Sequence, residues 1–301
     1  MRPLILALTL ATLGLGQTGC VKSMAVNALG DALSKGGGTY AQDDDPELVR
    51  DATAFGLKTI ESLLDAEPDH AGLRLAAVRG FTQYAFAFIQ SEADYAEDAH
   101  FARAKHLRYR AWRMYRRARA HGLRGLAIEH PNFEAELQEN PSKALAKVQR
   151  DEVGLLVWTG LAWAAAVALN KDDAELTATL DTVQPMMLRA LALDPGFGGG
   201  AIHGFLFSWY AGRPVAAGGS IETGLQHYEE SMKLAQGTRI APLVSYAEVI
   251  CIKKQDAACF TAKLNEALAL DPDSVPKHRL VNLISQKRAR WLLAHQDDLF
   301  L

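Results

Sequence analysis

Nine histidines, three cysteines and two glycine-rich stretches are the features of this 301-residue chain most suited to chemistry. The histidines do not fall at metal-ligand spacings, and no H-E-x-x-H pair occurs. His203 alone sits in a run of apolar neighbours, Ala201-Ile202-His203-Gly204-Phe205. With no acidic or Cys partner at ligand spacing, it reads as a histidine of a core or groove. Gly196–Gly200 has neither a strand before it nor the Lys-Ser/Thr that a phosphate loop needs after it, so it reads as a joint after a helix stop. Ser208 and Ser245 lie in no G-x-S-x-G elbow. Cys251 and Cys259 flank the polar stretch Lys253–Ala257 between two helical patterns. They fit either a disulfide clipping a hairpin in an oxidising compartment or two buried thiols. No catalytic residue, metal centre or cofactor is assigned; a hydrolase with a dispersed site is the weak alternative.

The third cysteine, Cys20, follows a short apolar leader. Arg2 starts it, Leu4–Leu15 is apolar, and Gly19 is small. That is the layout of a secretory signal over residues 1–19, too short to span a bilayer. Cys20 resembles the acylated cysteine of bacterial lipoproteins, although Gln17 stands where an aliphatic residue is usual. Val21 is not the Asp that retains such lipoproteins at the inner membrane, so the expected anchor is the outer membrane, facing the periplasm. Residues 20–44 read as anchor and flexible tether, with Gly36-Gly37-Gly38 near their end. The membrane is met through the lipid only: Leu155–Leu169, the nearest other apolar run, is too short to cross.

Charge and aromatic residues are unevenly placed. The whole chain is near neutral, at −3, and 49% hydrophobic, so it has material for a sizeable core and is no general trap for nucleic acid. One segment is strongly basic. Arg103, Arg110 and Arg117 recur at sevens and share a helix face, either a docking face for an acidic partner or headgroups, or a solvated face paired with Glu92, Asp94, Glu97 and Asp98. Aromatics crowd Phe81, Tyr84, Phe86 and Phe88 in one segment, Trp158 and Trp163 in another, and Phe205, Phe207, Trp209 and Tyr210 in a third. Four residues in six positions wrap a helix, so part of the third group must line a groove or an interface. The expected groove is Phe81, Tyr84, Phe88, His203, Phe207, Trp209 and Tyr210.

The elements that must position these residues are helical throughout. Apolar residues recur at three- and four-residue steps, and no period-two strand is visible from Asp45 to Leu301. Asp45-Pro46-Glu47 supplies an N-cap, a first-position proline and a dipole-facing acid. Helices are expected at Pro46–Ala66 (Phe55, Ile60, Leu63 and Leu64 inward), Ala71–Gln90, Tyr95–His121 ended by Gly122 and Gly125, and from Asp151 and Asp172 to Leu169 and Leu193. Further helices follow near Ala201–Ala211, Ile221–Leu234, Leu243–Lys253, Ala257–Leu270 and Lys277–Leu293. Ala-Leu-Ala-Leu-Asp-Pro is written twice, at Ala190–Pro195 and Ala267–Pro272. An Ala/Leu helix stopped by Asp-Pro is how tetratricopeptide-type hairpins close. The expected fold is all-α: degenerate tetratricopeptide-like hairpins stacked into one solenoid-like domain over 45–301.

Several stretches, in this order, resemble the TatT family, the T component of tetratricopeptide-repeat-associated TRAP transporters. They are Phe81-Thr82-Gln83-Tyr84-Ala85, Trp158-Thr159-Gly160-Leu161-Ala162-Trp163, Gly200-Ala201-Ile202-His203, Gly218-Gly219-Ser220, Arg279-Leu280-Val281-Asn282 and Gln286-Lys287-Arg288-Ala289-Arg290-Trp291-Leu292-Leu293. The resemblance implies cryptic tetratricopeptide hairpins, a periplasmic lipid anchor and a homotrimer. It also implies a partner, the substrate-binding P component of a TRAP system, and a small apolar organic ligand passed without being transformed. The alternative is a helical-repeat lipoprotein scaffold for envelope assembly proteins.

Overall fold

A computed structural model describes residues 38–300, and these are all helix and connecting turns, with no strand among them. Cys20 and the leader lie outside the described residues. A short helix at Gly38–Ala41 docks on the last helix of the chain and on Pro276–His278, and Arg279 donates to the Gln42 carbonyl at 3.0 Å. The long helices are α1 (Pro46–Ala66), α2 (Ala71–Tyr84, running on through a π-turn at Ala85–Gln90 to Ser91–Tyr95) and α3 (Phe101–Glu129). Then come α4 (Phe133–Glu139), α5 (Pro141–Lys147), α6 (Val153–Leu169), α7 (Val183–Leu193), α8 (Ala201–Gly212) and α9 (Ile221–Ala235). The chain closes with α10 (Ala241–Tyr246, with a π-turn at Ala247–Cys251), α11 (Ala257–Ala269) and α12 (Arg279–Ala294).

Local chemistry sets many of these boundaries. Asp45 accepts from the amides of Glu47 and Leu48 at 2.9 and 3.0 Å and starts α1, with Pro46 at its first position. Ser220 accepts from Thr223 at 3.1 Å and starts α9. Upstream of α6 the carboxylate of Glu152 takes the Gln149 amide at 2.9 Å, so the start is made there and not by Asp151. Asp173, one residue past the expected Asp172, caps the short helix Ala174–Ala178 by accepting from Leu176 at 3.0 Å. Both copies of the Ala-Leu-Ala-Leu-Asp-Pro sequence end a helix, α7 and α11.

Two expectations are corrected. Gly122 and Gly125 do not stop α3, which runs on to Glu129 before His130-Pro131. Both are buried where α3 crosses α6. A Cβ on Gly122 would overlap the Thr159 hydroxyl, and one on Gly125 would lie 2.6 Å from Leu155 and 3.0 Å from the Arg74 Cβ. Glycine is there for close approach of two helices, a use that outweighs its poor helix propensity. Phe55 is 78% exposed: the inward stripe of α1 is Val49, Leu57, Ile60 and Leu64.

α6 is the central element, flanked by α3, α2 and α7. By length and composition Arg150–Leu169 could cross a membrane. Here it is a core helix, with Leu155, Leu156, Val157, Ala162 and Trp163 buried. Burial of each large side chain contributes about 1.5–3 kcal/mol, so this run stabilises the protein interior. The main core spans Leu57 to Trp209; a smaller one joins α10, α11 and α12 around Phe260 and Leu264. Between them lies a third cluster of Phe207, Ala211 and Ile250. The two halves also meet through ion pairs from α12 to the end of α2: Lys287 with Glu92 at 3.0 Å and Arg288 with Asp94 at 3.2 Å.

Candidate functional site

Helix α8 is built to face two ways. Ile202, Leu206 and Trp209 recur at helical spacing and enter the main core, whereas Phe207 and Ala211 turn to α9 and α10. Gly224 lets α9 approach: a Cβ there would lie 2.7 Å from that of Ala211. The result is an aromatic cluster in which Phe207, Tyr228 and Tyr246 are mutually packed, ring centroids 4.7–6.2 Å apart. Burial pushes the Tyr228 phenol up to about 12.

Beside this cluster His203 faces His227, with their Nδ1 atoms 2.9 Å apart, and Tyr210 stacks parallel on His227 at 5.6 Å. The α7 residue Gln184 joins the polar ends of two aromatics, donating to the Tyr210 hydroxyl at 2.8 Å and accepting from the Trp209 indole at 3.4 Å. Arg213 lies over the Trp209 ring at 4.3 Å.

The expected groove residues therefore divide. Phe81, Tyr84, Phe207 and Trp209 are buried in the protein interior, while Phe88, His203 and Tyr210 are half-buried. Phe81 stacks on His121 at 5.8 Å, and Tyr84 packs on Phe88 at 5.8 Å. His203, Phe207, Trp209 and Tyr210 gather on one helix; Phe81, Tyr84 and Phe88 belong to α2. The partner His227 was not singled out from sequence, because nothing local announces which α9 residue crosses α8. The Ser208 hydroxyl donates to the Gly204 carbonyl at 3.4 Å, an intrahelical bond. Among the described residues no group of three His, Cys, Asp or Glu side chains is placed to hold a metal ion.

The basic helix is α3. From Phe101 to Ile128 it has no Asp or Glu, and its outer face carries exposed Arg103, Lys105, His106, Arg110 and Arg113 together with Phe101 and Tyr109, 66% and 56% exposed. Two of the expected acids do pair with it: Arg108 meets Glu97 at 2.7 Å and Asp94 at 3.5 Å. Glu92 and Asp98 instead face Lys287 and His295 of the C-terminal region. Arg117 reaches across to Glu61 of α1 at 2.6 Å, and Arg119 to Glu134 at 2.5 Å. Arg103 and Arg110 have no acidic partner among the described residues. The face is thus cationic and aromatic, and its surplus charge is not neutralised among the described residues.

Glu61 anchors the inner edge of this face. Its burial favours the neutral acid, but hydrogen bonds from Lys58 and His121 and the charge of Arg117 outweigh that, holding its carboxyl below the usual range. Arg74 can only donate, and its Nη1 is 3.1 Å from His121 Nδ1, so Nδ1 accepts and Nε2 donates to Glu61 at 3.2 Å. Burial lowers the His121 pKa, which keeps this tautomer neutral.

Cys251 and Cys259, at the ends of α10 and the start of α11, are joined as a disulfide with Cα atoms 5.7 Å apart, within the usual span.

Comparison with known proteins covers this same body. The family described as TAtT, TRAP transporter T-component, matches residues 42–300. An uncharacterized protein of Treponema pallidum (strain Nichols) is 34% identical over 266 residues, covering 87% of this chain and 82% of that relative. An ordered match over nearly every described helix, on an all-helical frame of packed pairs, places the chain in the TRAP transporter T-component family.

Proposed function

We propose that this T component is a non-enzymatic periplasmic lipoprotein, anchored to the outer membrane through Cys20, that docks the substrate-binding P component of its TRAP system on the outer face of α3. The observation that supports this most directly is the unneutralised row of Arg103, Arg110 and Arg113, interleaved with exposed Phe101 and Tyr109. Charge gives rapid, oriented encounter, and the aromatics supply desolvated contact area. The partner surface that fits is acidic. Half-buried aromatics along the main core, Phe88, Trp158, Phe205 and Tyr210, are suited to a small apolar organic ligand handed over without chemistry. Leu48 and Phe55, 59% and 78% exposed on α1, offer apolar surface for the homotrimer.

The test is capture of the P component of the same organism by the purified mature protein. Charge reversal of Arg103, Arg110 and Arg113 together should weaken capture by about tenfold or more and blunt its sensitivity to salt. Undiminished capture by that triple variant, with its melting unchanged, would remove α3 as the docking face. Failure of the native protein to capture the P component at all would remove the reading itself.

A further inference from the structure

The most telling group outside α3 and the aromatic cluster is Arg239, in the turn between α9 and α10. Its guanidinium Nε is buried and, among the described residues, has no hydrogen-bond acceptor and no carboxylate beside it. A buried guanidinium nitrogen without an acceptor is costly unless something anionic meets the group. It borders an open cavity of about 440 Å³, whose rim also carries Lys277 and His278. The glycine turn lines the cavity beside Arg239. Gly198, Gly199 and Gly200 hold φ of 59°, 62° and 92°, a left-handed run that side chains resist. Gly199 packs beside the Arg239 guanidinium: a Cβ built on it would lie 3.7 Å away, in ordinary van der Waals contact.

The surrounding groups sharpen the chemistry. The Thr238 hydroxyl donates to the Ala235 carbonyl at 2.7 Å, so His278 Nδ1, 3.1 Å from that oxygen, carries its own hydrogen. In the neutral ring Nε2 is then the acceptor; protonated, it becomes a further donor. Burial, then the charges of Arg239 and Lys277, lower the His278 pKa. An anion arriving between the three would reverse the charge part of that effect. Asp273, the nearby acid on the same connection, is held by Arg279 at 2.6 Å.

We propose that this cavity is an oxyanion site, in which Arg239, Lys277 and His278 receive the carboxylate or phosphate group of a small ligand. Arg239 supplies the fixed, planar donor set, Lys277 a mobile charge at the mouth, and His278 a donor that protonation switches on. A second cavity of about 180 Å³, bounded by Gly200, Gly204, Phe207 and Tyr228, is walled by α8, α9 and α10, and α9 lines both cavities. This site lies apart from α3 and does not depend on how the P component docks.

The experiment is titration of the purified mature protein with inorganic phosphate and, separately, with sodium hexanoate, followed by calorimetry and by the His278 ring signals in NMR. One-to-one binding of either probe is expected, tighter at pH 6 than at pH 8, with the His278 pKa rising as the site fills. The tighter of the two probes identifies the head group. Arg239→Gln should weaken binding about tenfold or more, and the exposed Lys277→Gln, which leaves packing intact, several-fold. Neither probe binding at about 20 mM, a concentration far above that of a specific ionic contact, would overturn the site. So would Lys277→Gln and Arg239→Gln both binding as the native protein does. If Arg239→Gln melts early, the Lys277→Gln and His278 readouts still decide.

Discussion

The imidazoles of His203 in α8 and His227 in α9 meet Nδ1 to Nδ1 at 2.9 Å, so one ring must donate the hydrogen and the other must accept it. Protonating both would set two donors against each other across the hairpin. Burial lowers both pKa values; the His203 charge lowers His227 further, and Glu230 partly restores His203. The unfolded chain has the ordinary value near ~6.5, so below that pH it takes up protons the folded pair refuses. Stability from the pair is therefore complete above ~6.5 and declines as pH falls towards the folded values. The melting temperature should drop between neutral pH and pH 5, and the drop should be smaller in His227→Gln. An identical pH slope in the variant would contradict the shared hydrogen.

Glu61 works in the same direction, in a lower pH window. It ties α1 to α3 through Arg117 and, through the neutral His121, to Arg74 of α2. Its folded pKa is depressed, so its contribution is present above the unfolded carboxylate value and is lost as pH falls through the folded one. Glu61→Gln keeps the shape but removes the charge, at a cost of about 2 kcal/mol for charged hydrogen bonds. Urea unfolding at pH 7 should show that loss, and the loss should shrink at low pH, where the native carboxyl is itself neutral. No loss at either pH would show that shape, not charge, is what Glu61 contributes.

At the α3–α6 crossing, Gly122→Ala brings a methyl group onto the Thr159 hydroxyl and within 3.1 Å of Val78. On an exposed helix the same change would gain up to about 1 kcal/mol. Here overpacking should cost about 1–3 kcal/mol, because α3, α6 and α2 are all held by their own cores. Thr159→Ala added to Gly122→Ala removes the overlapping oxygen and should recover part of the loss, since the Thr159 Cβ still lies 2.9 Å away. A stabilised Gly122→Ala, measured by its denaturation midpoint, would mean the helices are not this close.

How far these features can be read from the sequence follows the range of the forces behind them. Helix starts at Asp45 and Ser220 depend on residues two or three positions away, and they are visible as capping patterns. The Asp-Pro stops after α7 and α11 are equally local. Gly122 was misleading because a glycine that ends a helix and one that admits a neighbour look alike until the neighbour is known. Phe55 failed for a related reason: periodicity gives a stripe, and α1 turns Val49 and Leu57 inward alongside the expected Ile60 and Leu64. The basic run on α3 was visible, and so were two of its counter-charges, Glu97 and Asp94; Glu61 and Glu134 were not, since they come from other helices. Arg239 and His227 were legible only as ordinary residues; what distinguishes them is the company that the fold brings.

The Cys251–Cys259 bond closes the short connection from α10 to α11, next to the core that holds Phe260 and Leu264. Cys251 is fully buried, whereas Cys259 is only partly so. Closing so short a loop restricts the unfolded chain modestly, for about 2.5 kcal/mol in the chain-entropy account. The same connection is also held without sulfur chemistry: Asp256 accepts from the Cys259 amide at 2.9 Å, and its own amide donates to the Cys251 carbonyl at 2.9 Å. Reduction should therefore lower the melting temperature by several degrees yet leave the helical content and the fold in place. Cys251→Ala/Cys259→Ser should melt like the reduced protein. Melting unaffected by a reductant would show that the purified protein holds two thiols there, and loss of the α10–α12 unit on reduction would show that the hydrogen bonds alone cannot hold it.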